Sequence, residues 1–135
     1  MHWKKYLQTF SRSSFTSRQV HTAIMREVTT LEEFEAILKG AEDQLVAVDF
    51  TATWCPPCKV IGPKFEEMVP IFNKEGEKEK VIFLKVDVDE GDEIAEKYPI
   101  KAMPTFMFFK NGKKVDELVG ADEKKLLEKL NALSS

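Results

Sequence analysis

Cysteine and histidine are both scarce in this chain, with two of each in 135 residues. That excludes a disulfide-dense secreted scaffold. It also speaks against a four-ligand zinc site within one chain. Long apolar runs are missing as well: none approaches the roughly 20 residues that a bilayer-spanning helix needs, so no membrane span is expected. Acidic residues are absent from positions 1–26, where Lys4, Lys5, Arg12, Arg18 and Arg26 stand. The net charge of −3 therefore averages a basic head and an acidic body. An acidic body argues against nucleic acid as the main partner, because phosphate binding takes clustered Lys and Arg.

What the chain does have is the material for a core. Apolar residues make up 43%, too many for a wholly disordered polymer, and the length suits one domain. The head stands apart from it. Trp3, Tyr6, Leu7 and Phe10 recur at helical spacing, and Ser11, Ser13, Ser14, Thr16 and Ser17 follow. No apolar block of roughly 7–15 residues marks a secretory signal, whereas an amphipathic, Arg- and Ser-rich, acid-poor start fits an organellar transit peptide. The run Arg18-Gln19-Val20-His21-Thr22-Ala23 is similar to the ends of many mitochondrial presequences. The alternatives are a disordered tail, or translation that starts at Met25. Residues 1–24 are read as an N-terminal extension, a transit peptide directing the protein to the mitochondrial matrix, with a cytoplasmic protein as the alternative. Residues 25–135 are read as the folded domain.

Along that domain, Met25–Val28 reads as a short strand. Thr30 and Glu33 form a capping-box pair ahead of a helix whose apolar face is Leu31, Phe34, Ile37 and Leu38, ending at Gly40. Leu45–Thr51 is an apolar run interrupted only by Asp49, the pattern of a buried strand. Val60, Ile61, Phe65, Met68, Val69 and Phe72 predict the next helix, within which Pro63 should impose a kink. Val81–Val88 reads as a strand and Asp92–Tyr98 as a short helix stopped by Pro99. Asn111-Gly112 between Thr105–Lys110 and Lys113–Val119 is a strong hairpin signal. Leu126, Leu127, Leu130 and Leu133 line a last helix. The order β-α-β-α-β-α-β-β-α implies an α/β fold with a mixed sheet and helices packed on it.

Chemistry concentrates at Trp54-Cys55-Pro56-Pro57-Cys58, between a strand and a helix. A helix N-terminus offers unpaired N–H groups and partial positive charge, both of which favour an anion. A thiolate is such an anion, so Cys55 is expected to lose its proton below the ordinary cysteine value of about 8.5. One helical turn separates the two sulfurs, a spacing at which a disulfide can close and reopen. Pro56 and Pro57 suit a first turn, where a missing N–H costs nothing, and the N–H of Cys58 remains to point at the Cys55 sulfur. Half of a zinc site and an inert structural disulfide are the other readings of such a pair; its strand–helix setting favours a redox-active dithiol.

The stretch Val48-Asp49-Phe50-Thr51-Ala52-Thr53-Trp54-Cys55-Pro56-Pro57-Cys58-Lys59 closely resembles the thioredoxin family. So do Phe83-Leu84-Lys85-Val86-Asp87-Val88-Asp89, Met103-Pro104-Thr105-Phe106 and Val119-Gly120-Ala121, over about residues 25–133 in the right order. The departure is Pro56, where the commonest family motif has glycine; Cys-Pro-Pro-Cys also occurs in some thioredoxins and in tryparedoxins. Residue 102 is alanine, so regulation through the extra cysteine that some animal thioredoxins carry there is not expected.

The resemblance implies the thioredoxin fold, a central mixed β-sheet with helices on both faces, and the activity of a protein-disulfide reductase. It casts Cys55 as nucleophile, Cys58 as resolving thiol and Asp49 as the group that moves the Cys58 proton, with Lys85 nearby to tune it. A buried acid in an apolar strand should hold its proton unusually well, which suits that task. Pro104 would be a cis-proline facing the cysteines, and Trp54, Pro56, Pro57, Met103, Gly120 and Ala121 would join it in a shallow surface for client proteins. No cofactor is expected on the chain; electrons would come from NADPH through thioredoxin reductase, to a monomer that also meets disulfide-containing clients. Two other readings use the same residues: a redox-gated binding module whose dithiol only senses, and a tryparedoxin-like carrier with a different donor.

Overall fold

The structure, a computed structural model, describes residues 24–135. The helical pattern at Trp3–Phe10 and the transit-peptide reading lie outside the described residues. Within them the elements run β1 (Arg26–Glu27), α1 (Leu31–Ala41), β2 (Leu45–Thr51), α2 (Pro56–Phe72), β3 (Val81–Asp87), α3 (Asp92–Lys97), β4 (Thr105–Lys110), β5 (Lys113–Val119) and α4 (Glu123–Ser134). The order is the one that apolar periodicity predicts. Boundaries differ by a residue or two: α1 passes through Gly40 to Ala41, and β1 is only two residues long.

Local chemistry accounts for the ends. The Thr30 side chain accepts the Glu33 N–H at 3.1 Å, closing the first turn of α1. Asp122 does the same for the Lys125 N–H at 3.0 Å and opens α4. In the hairpin, Asn111 and Gly112 have φ of 53° and 76°. Two successive positive values fit the right-handed twist of the flanking strands, and glycine takes the second at no steric cost.

The five strands lie in the order β1-β3-β2-β4-β5. β1 and β2 run parallel to β3, while β4 is antiparallel to both β2 and β5. β2 is therefore central, and alternate residues face opposite layers. Leu45 and Ala47 pack with Phe65, Phe72, Leu126 and Leu130 from α2 and α4. Val46, Val48 and Phe50 pack with Phe34, Leu38 and Ile94 from α1 and α3. Phe50, Phe83, Phe106, Phe108 and Phe109 are all fully buried. Phe65 meets Phe83 and Phe106 at ring separations of 5.2 and 5.1 Å, edge-on and tilted geometries that add to the burial gain.

This layering places the site. Asp49, in phase with Leu45 and Ala47, sits on the α2 side of β2. The C-terminal end of β2 hands the chain over to the N-terminus of α2 in four residues, and Cys55 stands at that handover.

Candidate active site

Cys55 is the N-cap of α2: its backbone is extended, Pro56 and Pro57 begin the helix, and its Sγ accepts the Cys58 N–H at 3.3 Å. The sequence argument thus holds at the level of atoms, since the prolines take the positions without N–H partners and leave that N–H for the sulfur. Cys55 and Cys58 are joined as a disulfide, with Cα atoms 5.3 Å apart. Both are buried at 4% and 3% exposure, while Pro56 and Pro57 lie in solvent.

The two cysteines pack with Ala52, and Met103 and Val88 lean on that small cluster. The Met103–Pro104 bond is cis, as the family resemblance implies. The Pro104 carbonyl accepts the Gly120 N–H at 2.9 Å, which ties the expected surface residues at Gly120 to the cis turn. Gly120 has φ of 108°, a conformation that side chains oppose. Ala121 follows it, exposed.

Trp54 belongs to the surface and not to the core: it is 62% exposed, and its indole N–H donates to Asp89 Oδ2 at 2.9 Å. Asp89 holds this ring, and the sequence reading did not identify it. Trp54, Met103, Ile100 and Ala102 line an open groove beside the disulfide. Val60, counted in the apolar pattern that predicts α2, is 61% exposed, because Ile61, turned by one residue, takes the inward position.

Asp49 is 1% exposed, and its Oδ1 has no hydrogen-bond partner among the described residues. Burial pushes its pKa from the ordinary 3.8 up to about 7, against a smaller opposing pull from the Lys85 ammonium. Lys85 stands directly across from it in the β2–β3 register, so the predicted neighbour is in place. Behind the disulfide lies a cleft of about 570 Å³ whose walls include Cys58, Gly62, Lys85 and Asp87. Among the described residues, no group of three or more His, Cys, Asp or Glu is arranged to hold a metal ion, and no helix is long and apolar enough to cross a membrane.

A cysteine pair at a strand-to-helix junction, with Met103 of a cis Met–Pro bond packed against it and a buried acid in the strand before it, defines a thiol-disulfide exchange protein built on the thioredoxin fold. Comparison with known proteins agrees. The thioredoxin family model matches residues 25–132. Thioredoxin of Ictalurus punctatus is 50% identical over 104 residues, covering 77% of this chain and 94% of that protein. The reduced thioredoxin pre-protein of Schistosoma mansoni superposes with a TM-score of 0.73 at 41% identity, over 82% of this chain and 98% of that one. A thioredoxin f2 chain from a ferredoxin:thioredoxin reductase complex superposes with a TM-score of 0.73 at 32% identity, over 84% of this chain and 97% of that one. The chain belongs to the thioredoxin family, and it is a protein-disulfide oxidoreductase.

Proposed function

We propose that Cys55 is the attacking thiol, Cys58 the resolving thiol and Asp49 the acceptor of the Cys58 proton. The carrying observation is the Cys55 sulfur at the mouth of α2, on the Cys58 N–H. In the reduced protein the Cys55 thiolate attacks a client disulfide, forms a mixed disulfide and expels one client thiolate. Cys58 then gives its proton toward Asp49 and attacks Cys55 Sγ. The second client thiolate leaves, and the Cys55–Cys58 disulfide holds the oxidised state. Two electrons have passed to the client. Lys85 moderates the proton affinity of Asp49.

Client segments dock along Trp54, Met103 and Pro104, with Gly120 and Ala121 at the far side; Pro56 and Pro57 border the attacking sulfur. An extended client strand on the Met103 backbone would be a form of β-augmentation. Electrons return from NADPH through thioredoxin reductase, a partner supported by family membership; the f2 neighbour, solved with a ferredoxin:thioredoxin reductase, supports docking of a reductase on this fold without bearing on NADPH as the source. The working unit is a monomer of residues 25–135 with no bound cofactor. An insulin-reduction assay with NADPH and a thioredoxin reductase tests the scheme: repeated turnover is expected, and a single stoichiometric discharge would favour a redox-gated binding module instead.

Residues 1–24 are assigned as a transit peptide for the mitochondrial matrix, supported by their four basic residues, Lys4, Lys5, Arg12 and Arg18, and the lack of acids. A fusion of residues 1–26 to a fluorescent protein should collect in mitochondria; diffuse cytosolic signal would defeat the assignment and favour a cytoplasmic protein.

A further inference from the structure

Gly62 sits inside α2, where glycine costs about 1 kcal/mol relative to alanine. Its backbone is not in the left-handed region, so no turn requires it. Pro63 follows, and proline disfavours helical geometry in a preceding residue that carries a Cβ; this is a structural reason for glycine. The surroundings supply a second one. A Cβ at Gly62 would meet Asp49 Oδ2 at 3.9 Å and nothing else within 4 Å. Cys58, Gly62 and Glu66 recur every four residues on one face of α2, and all three line the cleft. That cleft, about 570 Å³, has room for several waters at roughly 30 Å³ each. Of the buried Asp49 carboxyl, Oδ1 has no partner among the described residues and Oδ2 is the oxygen that faces Gly62; a buried acid in that condition calls for solvent.

We infer that Gly62 is a positioning residue for this carboxyl: by lacking a side chain it keeps open the passage through which cleft water reaches Asp49 and, one helical turn away, Cys58. The inference deepens the proton-transfer reading of Asp49 given above and rests on it for its catalytic consequence. The other charged groups facing the cleft are Lys59 and Glu66 from α2, Glu27 from β1, Lys85 and Asp87 from β3, and Glu90 after β3. β4 sets Phe106 opposite Asp49 and adds no charge there. Gly62 is the one cleft residue whose missing side chain would touch the carboxylate.

The sign of the effect separates this from a purely structural role. In Gly62→Ala a methyl displaces water from Asp49 Oδ2 and disfavours the ionised form. In Gly62→Ser the same Cβ carries a hydroxyl within reach of that oxygen, and a donated hydrogen bond favours the ionised form. Both variants burden Pro63 equally. Carbon-13 NMR titration of the Asp49 carboxyl, in the full oxidised chain, reads the difference directly. Gly62→Ala should raise the midpoint by roughly half a pH unit, and Gly62→Ser should titrate at or below the wild-type value. Mixed-disulfide resolution at pH 7 should slow about twofold in Gly62→Ala and not in Gly62→Ser, because a half-unit rise from about 7 halves the ionised fraction of Asp49 at that pH. Two variants that titrate like wild type, or that move together, would overturn the inference. A titration that moves as stated with unchanged resolution would leave the inference standing and remove Asp49 from the exchange chemistry.

Discussion

Cys55→Ser should reduce insulin disulfides no faster than the uncatalysed dithiol background, while Cys58→Ser should accumulate a covalent adduct with its client. The two losses differ because the two sulfurs do. Cys55 receives the Cys58 N–H and stands at the positive end of a 17-residue helix, so under the proposed mechanism it is the one expected to be stabilised as an anion. Cys58 lies inside the first turn, pointing toward the cleft behind, and meets a client only through Cys55. Serine at 55 leaves no competent nucleophile. Serine at 58 leaves attack intact and deletes the thiol that would release the product. Mass spectrometry of the Cys58→Ser reaction decides the matter: an adduct through Cys55 is expected. Full activity in Cys55→Ser would end the mechanism.

The second large effect joins stability to turnover. Asp49→Asn should stabilise the oxidised protein at pH 8 and slow mixed-disulfide resolution at neutral pH. In the fold the Asp49 carboxyl gives up its proton at about 7, and in the unfolded chain near its ordinary 3.8. Below pH 4 the group is protonated in both states and costs nothing. As pH rises toward 7 the unfolded state releases its proton first, so stability falls; above 7 the loss is complete, at about 4 kcal/mol. Removing the charge returns part of that loss, and about 1 kcal/mol amounts to roughly 4 °C in a domain of this size. Thermal melts at pH 4 and pH 8 should therefore show a gain for Asp49→Asn that is confined to the higher pH. An equal change at both values would mean that the carboxyl titrates alike in the folded and the unfolded chain, unshifted by burial. A resolution rate unchanged at pH 7 would remove Asp49 from the proton path. An acid kept at this cost in a central strand is the mark of a site and not of a packing choice.

Much of this was legible in the residues. Apolar periodicity gave the order of all nine described elements, since amphipathic spacing reports which face is buried whatever the partner. Thr30, Asn111-Gly112 and Cys55 were legible for a related reason: caps and turns are satisfied by side chains within three residues, so their logic is local. Three features were not. Val60 fits the α2 pattern by identity, but a single residue turns about 100° on a helix and Ile61 takes the core position. Asp89 grips Trp54 from 35 residues away, and nothing in an acidic strand exit marks one carboxylate out from its neighbours. The space between Gly62 and Asp49 exists only once α2 is laid on β2; in the sequence, that glycine is merely the residue before a proline.

The most direct test of the whole account is the alkylation rate of the Cys55 thiol in the reduced protein, followed with iodoacetamide from pH 5 to 10. Helix-end stabilisation predicts that the rate rises with a midpoint clearly below the ordinary cysteine value of about 8.5. A midpoint at or above that value would show that the helix end does not hold the leading sulfur as an anion, and the proposed chemistry would lose its first step.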